Sequence, residues 1–116
     1  MKTSIASGKQ IYEAKCITCH QENGEGISGV FPPLVKNLSL KSTAKLVQVV
    51  LKGQRGKMSV NGVEYDMEMA PVELTDSEVA DVLNYIRNAW GGKDIAILPK
   101  DIQPAVKAKV KDYQPY

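Results

Sequence analysis

The firmest periodic signal in the chain is Val79, Val82, Leu83, Ile86 and Trp90, which fall on one stripe of an α-helix with Tyr85 alongside. Just before it, Thr75-Asp76-Ser77-Glu78 has the form of a capping box. In that arrangement the threonine hydroxyl and the glutamate carboxylate each satisfy a backbone amide that the first helical turn leaves unpaired. A helix with one buried face is therefore predicted from this box to Gly91-Gly92. Upstream, Leu46, Val47, Val49 and Val50 make a second apolar face between Ser42 or Thr43 and Lys52, with Gly53 as the stop, although so much valine also suits a strand. A first helix is expected from a cap at Ser7 to about Cys19, with Ile11, Tyr12 and Lys15 at helical spacing and the small Gly8 on the side of Tyr12.

Between these elements the periodicity breaks. Gly24, Gly26, Gly29, Pro32 and Pro33 predict an irregular loop over 21–37, and loops of that length are usually functional. Within 54–74, Asn61-Gly62 predicts a tight turn and a short hairpin around it. The last stretch carries Pro99, Pro104 and Pro115 and no sustained period. A length of 116 residues suits one domain rather than two, so the expected division is a domain over 1–92 and a tail over 93–116. The tail suits either a linker or a surface strap, and a strap with Ile95, Ile97, Leu98 and Ile102 packed down is the preferred reading.

Both cysteines lie in Cys16-Ile17-Thr18-Cys19-His20, so they cannot staple distant parts of a fold. Cys-x-x-Cys-His is the haem attachment pattern: two thiols a turn apart reach the two vinyl groups of one porphyrin edge. The histidine that follows comes under the iron as an axial ligand. His20 is the chain's one histidine, which excludes ligation by two histidines of this chain. A thioredoxin-type dithiol would need a strand, helix, strand context that is missing here, and a structural zinc site would be one ligand short.

Composition adds to this picture. The chain is 43% hydrophobic yet has a single Phe and a single Trp, so a porphyrin as the large flat body in an aliphatic core fits. A net charge of +2 does not call for nucleic acid or an anionic membrane as partner. Residues 1–92 hold ten basic and ten acidic side chains, which puts the whole excess in the tail. No apolar run approaches the roughly 20 residues of a membrane span. Residues 1–8 lack the apolar stretch of a signal peptide, so a mature chain or a piece of a longer one is expected.

Over residues 8–92 the chain resembles the class I cytochromes c. It is most similar to compact bacterial domains that serve, or are fused to, dehydrogenases, copper nitrite reductases and terminal oxidases. The resemblance rests on Gly8 and Tyr12 before the Cys16-x-x-Cys19-His20 motif, then Phe31-Pro32-Pro33-Leu34, Met69-Ala70-Pro71, Leu74-Thr75-Asp76 and Tyr85-Ile86-Arg87-Asn88-Ala89-Trp90-Gly91. It implies an all-α fold in which the first and last helices cross near Gly8, Tyr12, Val82 and Tyr85 around one haem c, covalent through Cys16 and Cys19. It further implies that the Pro32 carbonyl accepts the Nδ1 proton of His20 and that Leu34 walls the haem.

For the second axial ligand, a methionine is expected, because a soft neutral sulfur favours the ferrous state. Met69 is the preferred candidate, seven residues before Asp76 where the family places its ligand loop. The family usually has Pro directly after the ligand, whereas here Ala70 intervenes before Pro71. Met67 remains the rival, since residues two apart in an extended segment point to one side. Met58 reads as a core or surface methionine, and Arg55, Lys57 and Tyr65 as candidate partners of the haem propionates.

The function implied is single-electron transfer rather than enzymatic catalysis, with redox proteins as partners (a dehydrogenase, nitrite reductase or terminal oxidase) and a monomer or tethered domain as the assembly. Haem c attachment implies a periplasmic location. Docking would use the uncharged rim of Ile17, Thr18, Gly26, Ile27, Phe31, Pro71 and Val72. The alternative is a haem domain that binds peroxide, nitric oxide or carbon monoxide once the methionine has left.

Overall fold

The computed structural model describes residues 2–35, 38–66, 68–91, 96–110 and 113–116. Helix α1 (Lys2–Lys15) is followed by a single-turn helix α2 (Ile17–His20). A 3-10 turn at Leu38–Lys41 leads into α3 (Thr43–Lys52). The antiparallel hairpin β1 (Lys57–Val60) and β2 (Val63–Asp66) comes next, then α4 (Asp76–Ile86) with a π-helical turn over Arg87–Gly91. A 3-10 turn at Pro99–Asp101 and α5 (Ile102–Lys107) complete the order. The fold is thus the expected helical one with a two-stranded hairpin added.

Several local predictions match residue by residue. The Ser42 hydroxyl accepts from Lys45 N at 3.2 Å, and Gly53 leaves α3 at φ 73°, a conformation that glycine adopts without a Cβ penalty. At the hairpin turn Asn61 and Gly62 both have positive φ, 52° and 81°, matching the right-handed twist of the two strands. At α4 the capping box is complete: Thr75 Oγ1 accepts from Glu78 N at 3.2 Å while Glu78 Oε1 accepts from Thr75 N at 2.9 Å.

The amide of Thr75 holds the Glu78 carboxyl below its ordinary value of 4.5. Because the folded value is the lower one, this contribution to stability is complete above the unfolded pKa and is lost as pH falls through the folded pKa. Thr75→Ala should cost about 1 kcal/mol. Thermal unfolding at neutral pH checks that loss.

Two expectations are corrected. The first helix begins at Lys2, not at a cap on Ser7, and its continuous run ends at Lys15. Residues 2–6 lack a strong apolar stripe of their own, and contact with α4 holds them. Ser4 Oγ donates to Asp81 Oδ1 at 2.5 Å and accepts from Asn84 Nδ2 at 3.0 Å. The second correction is α5, which lies in a stretch without readable periodicity. Pro104 falls in its first turn, where a missing amide costs nothing. The far end is satisfied from elsewhere: the buried Gln48 of α3 donates through Nε2 to Ala105 O at 2.9 Å and Ala108 O at 2.6 Å.

In the core, α1 crosses α4. A Cβ on Gly8 would lie 2.9 Å from Tyr85 Cβ and would overlap the carbonyl of Asp81, so the crossing needs a residue without one. Tyr12, Tyr85 and Trp90 pack about one another at the crossing, with ring centroids 5.4 to 5.8 Å apart. Val47, Val79, Val82 and Leu83 lie beneath and are fully buried. The chain after α4 packs on this same core. Ile97 and Ile102 are buried and Leu98 is 45% exposed, while Ile95 lies outside the described residues. Asn84 of α4 holds Ile97 on both sides, its Nδ2 donating to Ile97 O at 2.9 Å and its Oδ1 accepting from Ile97 N at 2.8 Å.

Candidate haem-binding site

The Cys-x-x-Cys-His segment is wound as a helical turn. Cys16 N donates to Tyr12 O at 2.9 Å and His20 N donates to Cys16 O at 3.0 Å. Residues four apart share a helix face, so Cys16 and His20 are brought to one side. The side chain of Cys19 lies outside the described residues. Gln21, at φ 68°, turns the chain out of the helix.

The following loop is folded back over the turn by backbone bonds from Gly26 N to His20 O, 3.0 Å, and from Leu34 N to Gly24 O, 2.7 Å. Gly24 is buried at φ 65°, and a Cβ there would lie 2.8 Å from the Trp90 ring, so the loop rests directly on the end of α4. This path brings Pro32 O to 3.2 Å from His20 Nδ1.

A carbonyl can only accept, so Nδ1 carries the proton and Nε2 keeps its lone pair for a metal. Burial pushes the His20 pKa below its ordinary value of 6.5, against the opposing pull of the Pro32 carbonyl. The imidazole is accordingly neutral, the form that binds a metal. Tyr12 closes the back of the turn, donating from Oη to Gln21 O at 2.5 Å. Its pKa is raised, first by burial and then by the neighbouring Cys16.

The hydrogen-bonded frame of Met69 is built differently. Met69 N donates to Gln54 O at 2.7 Å and Gln54 N donates to Met69 O at 2.9 Å, a two-bond bridge between the end of α3 and the segment before α4. Three residues on, Val72 N donates to Val50 O at 2.7 Å. Met69 is thereby pinned on both sides and half-buried.

Cys16, His20, Pro32, Leu34 and Met69 all line one cavity of about 1260 Å³. That is above the roughly 300–1,000 Å³ of ordinary small-molecule pockets. Aliphatic residues Leu46, Val50, Leu83 and Ile86 wall it, while the exposed Arg55 and Lys57 border it. A thiol, a neutral imidazole and a thioether in an aliphatic chamber with cations at its edge form a donor set that fits a tetrapyrrole with two propionates.

A model of the cytochrome c family matches residues 5–90. The chain belongs to the cytochrome c family. It is a class I, monohaem cytochrome c, and its cofactor is one covalently bound haem c. The chain is 44% identical over 92 residues to cytochrome c-552 of Thermus thermophilus, an alignment covering 74% of this chain and 70% of that protein. It is 29% identical over 121 residues to the cytochrome c subunit of a quinone alcohol dehydrogenase from Gluconacetobacter polyoxogenes, covering 95% of this chain and 23% of that subunit. It is also 31% identical over 93 residues to the cbb3-type oxidase subunit CcoP of Azospirillum brasilense, covering 74% of this chain and 28% of that subunit. Proteins of this kind carry electrons, which favours electron transfer over the small-ligand alternative. Among the described residues no helix is long and apolar enough to cross a membrane.

The geometry extends the candidate set. Met58 is neither plain core nor plain surface: it is half-buried on β1 and lines the cavity. Tyr65, expected near the propionates, is 2% exposed and does not line the cavity. Met67 lies outside the described residues. Leu40 was missed as a wall residue, and the buried Arg87 fixes it by donating from Nε to Leu40 O at 2.8 Å. Tyr113 and Gln114 of the tail also line the cavity. No signal near them in the chain points there, because their partners lie about 60 residues away, in α3 and just after it.

Proposed function

We propose that this cytochrome carries single electrons in the periplasm, with the haem bonded through the thioethers of Cys16 and Cys19 and its iron held between His20 and Met69. The observation that carries the reading is that His20, its lone pair freed by Pro32, and the doubly pinned Met69 line one aliphatic cavity. Haem c, when bound, supplies an iron that alternates between the ferric and ferrous states. The residues do the rest. Pro32 orients the imidazole and strengthens it as a donor. The thioether of Met69 favours the reduced state and closes the sixth position, and Leu34 with the aliphatic wall keeps water out.

Residues 93–116 act as a strap on the domain formed by 1–92, which the burial of Ile97 and Ile102 supports. The electron partners are redox proteins such as a dehydrogenase, a nitrite reductase or a terminal oxidase. The dehydrogenase and oxidase subunits among the relatives support that choice, and docking uses the uncharged rim where Ile27 is 44% exposed. An optical spectrum of the oxidised and reduced protein, with a pyridine haemochrome assay, tests the reading. The expected result is a haemochrome of the two-thioether type and a weak far-red sulfur-to-iron band. A protein that acquires no covalent haem would overturn it.

A further inference from the structure

Residues 53–55, directly after α3, are held on both edges of their backbone. On one edge is the Gln54–Met69 bridge, with bonds of 2.7 and 2.9 Å. On the other is the C-terminal tail: Arg55 N donates to Gln114 O at 3.2 Å, and Tyr116 N donates to Lys52 O at 3.3 Å. Tyr113 adds a side-chain clamp. Its Oη lies 2.6 Å from Gly53 O and 3.0 Å from Gln48 O, so one phenolic proton is shared between a carbonyl of α3 and that of the glycine that ends it.

Gly53 is where the two edges meet. A Cβ on it would lie 2.6 Å from Tyr116 Cβ and 3.0 Å from Pro71 Cδ, and would overlap the carbonyl of Met69. Tail, segment 53–55 and ligand loop are therefore packed as three successive layers with no spare room. Burial raises the Tyr113 pKa, so at neutral pH the phenol stays protonated and remains a donor.

The bridge fixes Met69 relative to Gln54, and Val72 N bonded to Val50 O ties the loop to α3 three residues on, but neither bond holds the stretch 53–55 itself against the body of the protein. Without the outer layer, segment 53–55 and the turn around Met69 can swing out together about the Val72–Val50 anchor, with their mutual bonds intact. We propose that Tyr113 and Gln114 are positioning residues for Met69, and that the docked tail sets how readily the methionine leaves the iron. The proposal rests on the reading of Met69 as the axial ligand. Opening of the loop is a local equilibrium that a tail contact biases, in the manner of other low-stability segments at functional sites.

The test uses holo-protein as the wild-type chain, as Tyr113→Phe and as a chain ending at Val110, with Ser4→Ala as a control that removes hydrogen bonds between α1 and α4. Imidazole binds the ferric haem after the methionine has left, so its affinity reads the opening equilibrium. Tyr113→Phe should bind imidazole about tenfold more tightly, the size of effect that one lost hydrogen bond produces. The truncated chain should bind it more tightly still, with a weakened far-red band. Ser4→Ala should lower the melting temperature and leave imidazole affinity unchanged.

If Tyr113→Phe and the truncated chain lose only melting temperature, and bind imidazole as the wild type does, the tail is purely structural and the inference is overturned. Should the truncated chain not fold, Tyr113→Phe decides alone. A far-red band that survives Met69→Ala in the full chain would instead overturn the ligand reading on which the inference stands.

Discussion

Replacing Met69 by alanine is expected to abolish the far-red sulfur-to-iron band while leaving the pyridine haemochrome unchanged. On the proposed reading the haem is bonded through Cys16 and Cys19, so the substitution would remove the proposed ligand without removing the cofactor. Loss of the soft sulfur should lower the reduction potential by hundreds of millivolts, within the span of roughly 0.8 V over which axial ligands set haem potentials. The vacated position should also let ferrous protein bind carbon monoxide at neutral pH, which the wild type should resist. Because the Met69 backbone is tied to Gln54 through its own amide and carbonyl, alanine keeps both bonds, and with the tail still docked on segment 53–55 the loop should stay in place. A band that survives the change would move the assignment to another methionine.

The second large effect is expected at Gly8. Alanine is normally worth up to about 1 kcal/mol more than glycine inside a helix. Here the new Cβ would overlap the Asp81 carbonyl and sit 2.9 Å from Tyr85 Cβ, and both neighbours belong to a packed helix that cannot yield as a flexible side chain would. Helix α1 must back away, which opens the contact where Tyr12 and Val82 are each 1% exposed. A net loss of about 3 kcal/mol is expected from the disturbed packing. That corresponds to a fall of roughly 10 °C or more in melting temperature for a domain of this size. Thermal unfolding of the haem-loaded protein measures it, and a melting point equal to or above that of the wild type would mean that propensity outweighs the clash.

Much of this molecule is encoded in short stretches of chain. The Thr75 box, the Ser42 cap, the Gly53 stop and the Asn61-Gly62 turn each depend on atoms within four residues of one another, and each is formed as the local pattern predicts. The stripe from Val79 to Ile86 is likewise legible, since a 3.6-residue period needs no knowledge of what lies opposite. Ser7 failed as a cap because the start of α1 is decided by Asp81 and Asn84, more than 70 residues away.

By itself, then, the sequence did not determine α5 or the start of α1, but it did determine α4, the caps and turns, the family and the chemistry of the cysteine-histidine motif. All of these are written in residue type and near-neighbour spacing. The tertiary structure decided which of the scattered groups share a chamber. It paired Pro32 with His20, locked Met69 onto Gln54, made Met58 and Leu40 part of the wall, and carried Tyr113 and Gln114 from the end of the chain to the same cavity. Those relations depend on hydrogen bonds and packing between segments whose separation along the chain carries no local signal. A buried Gln48 or Asn84 finds its partners only after the helices have docked, because only then is water excluded and the unpaired amide costly.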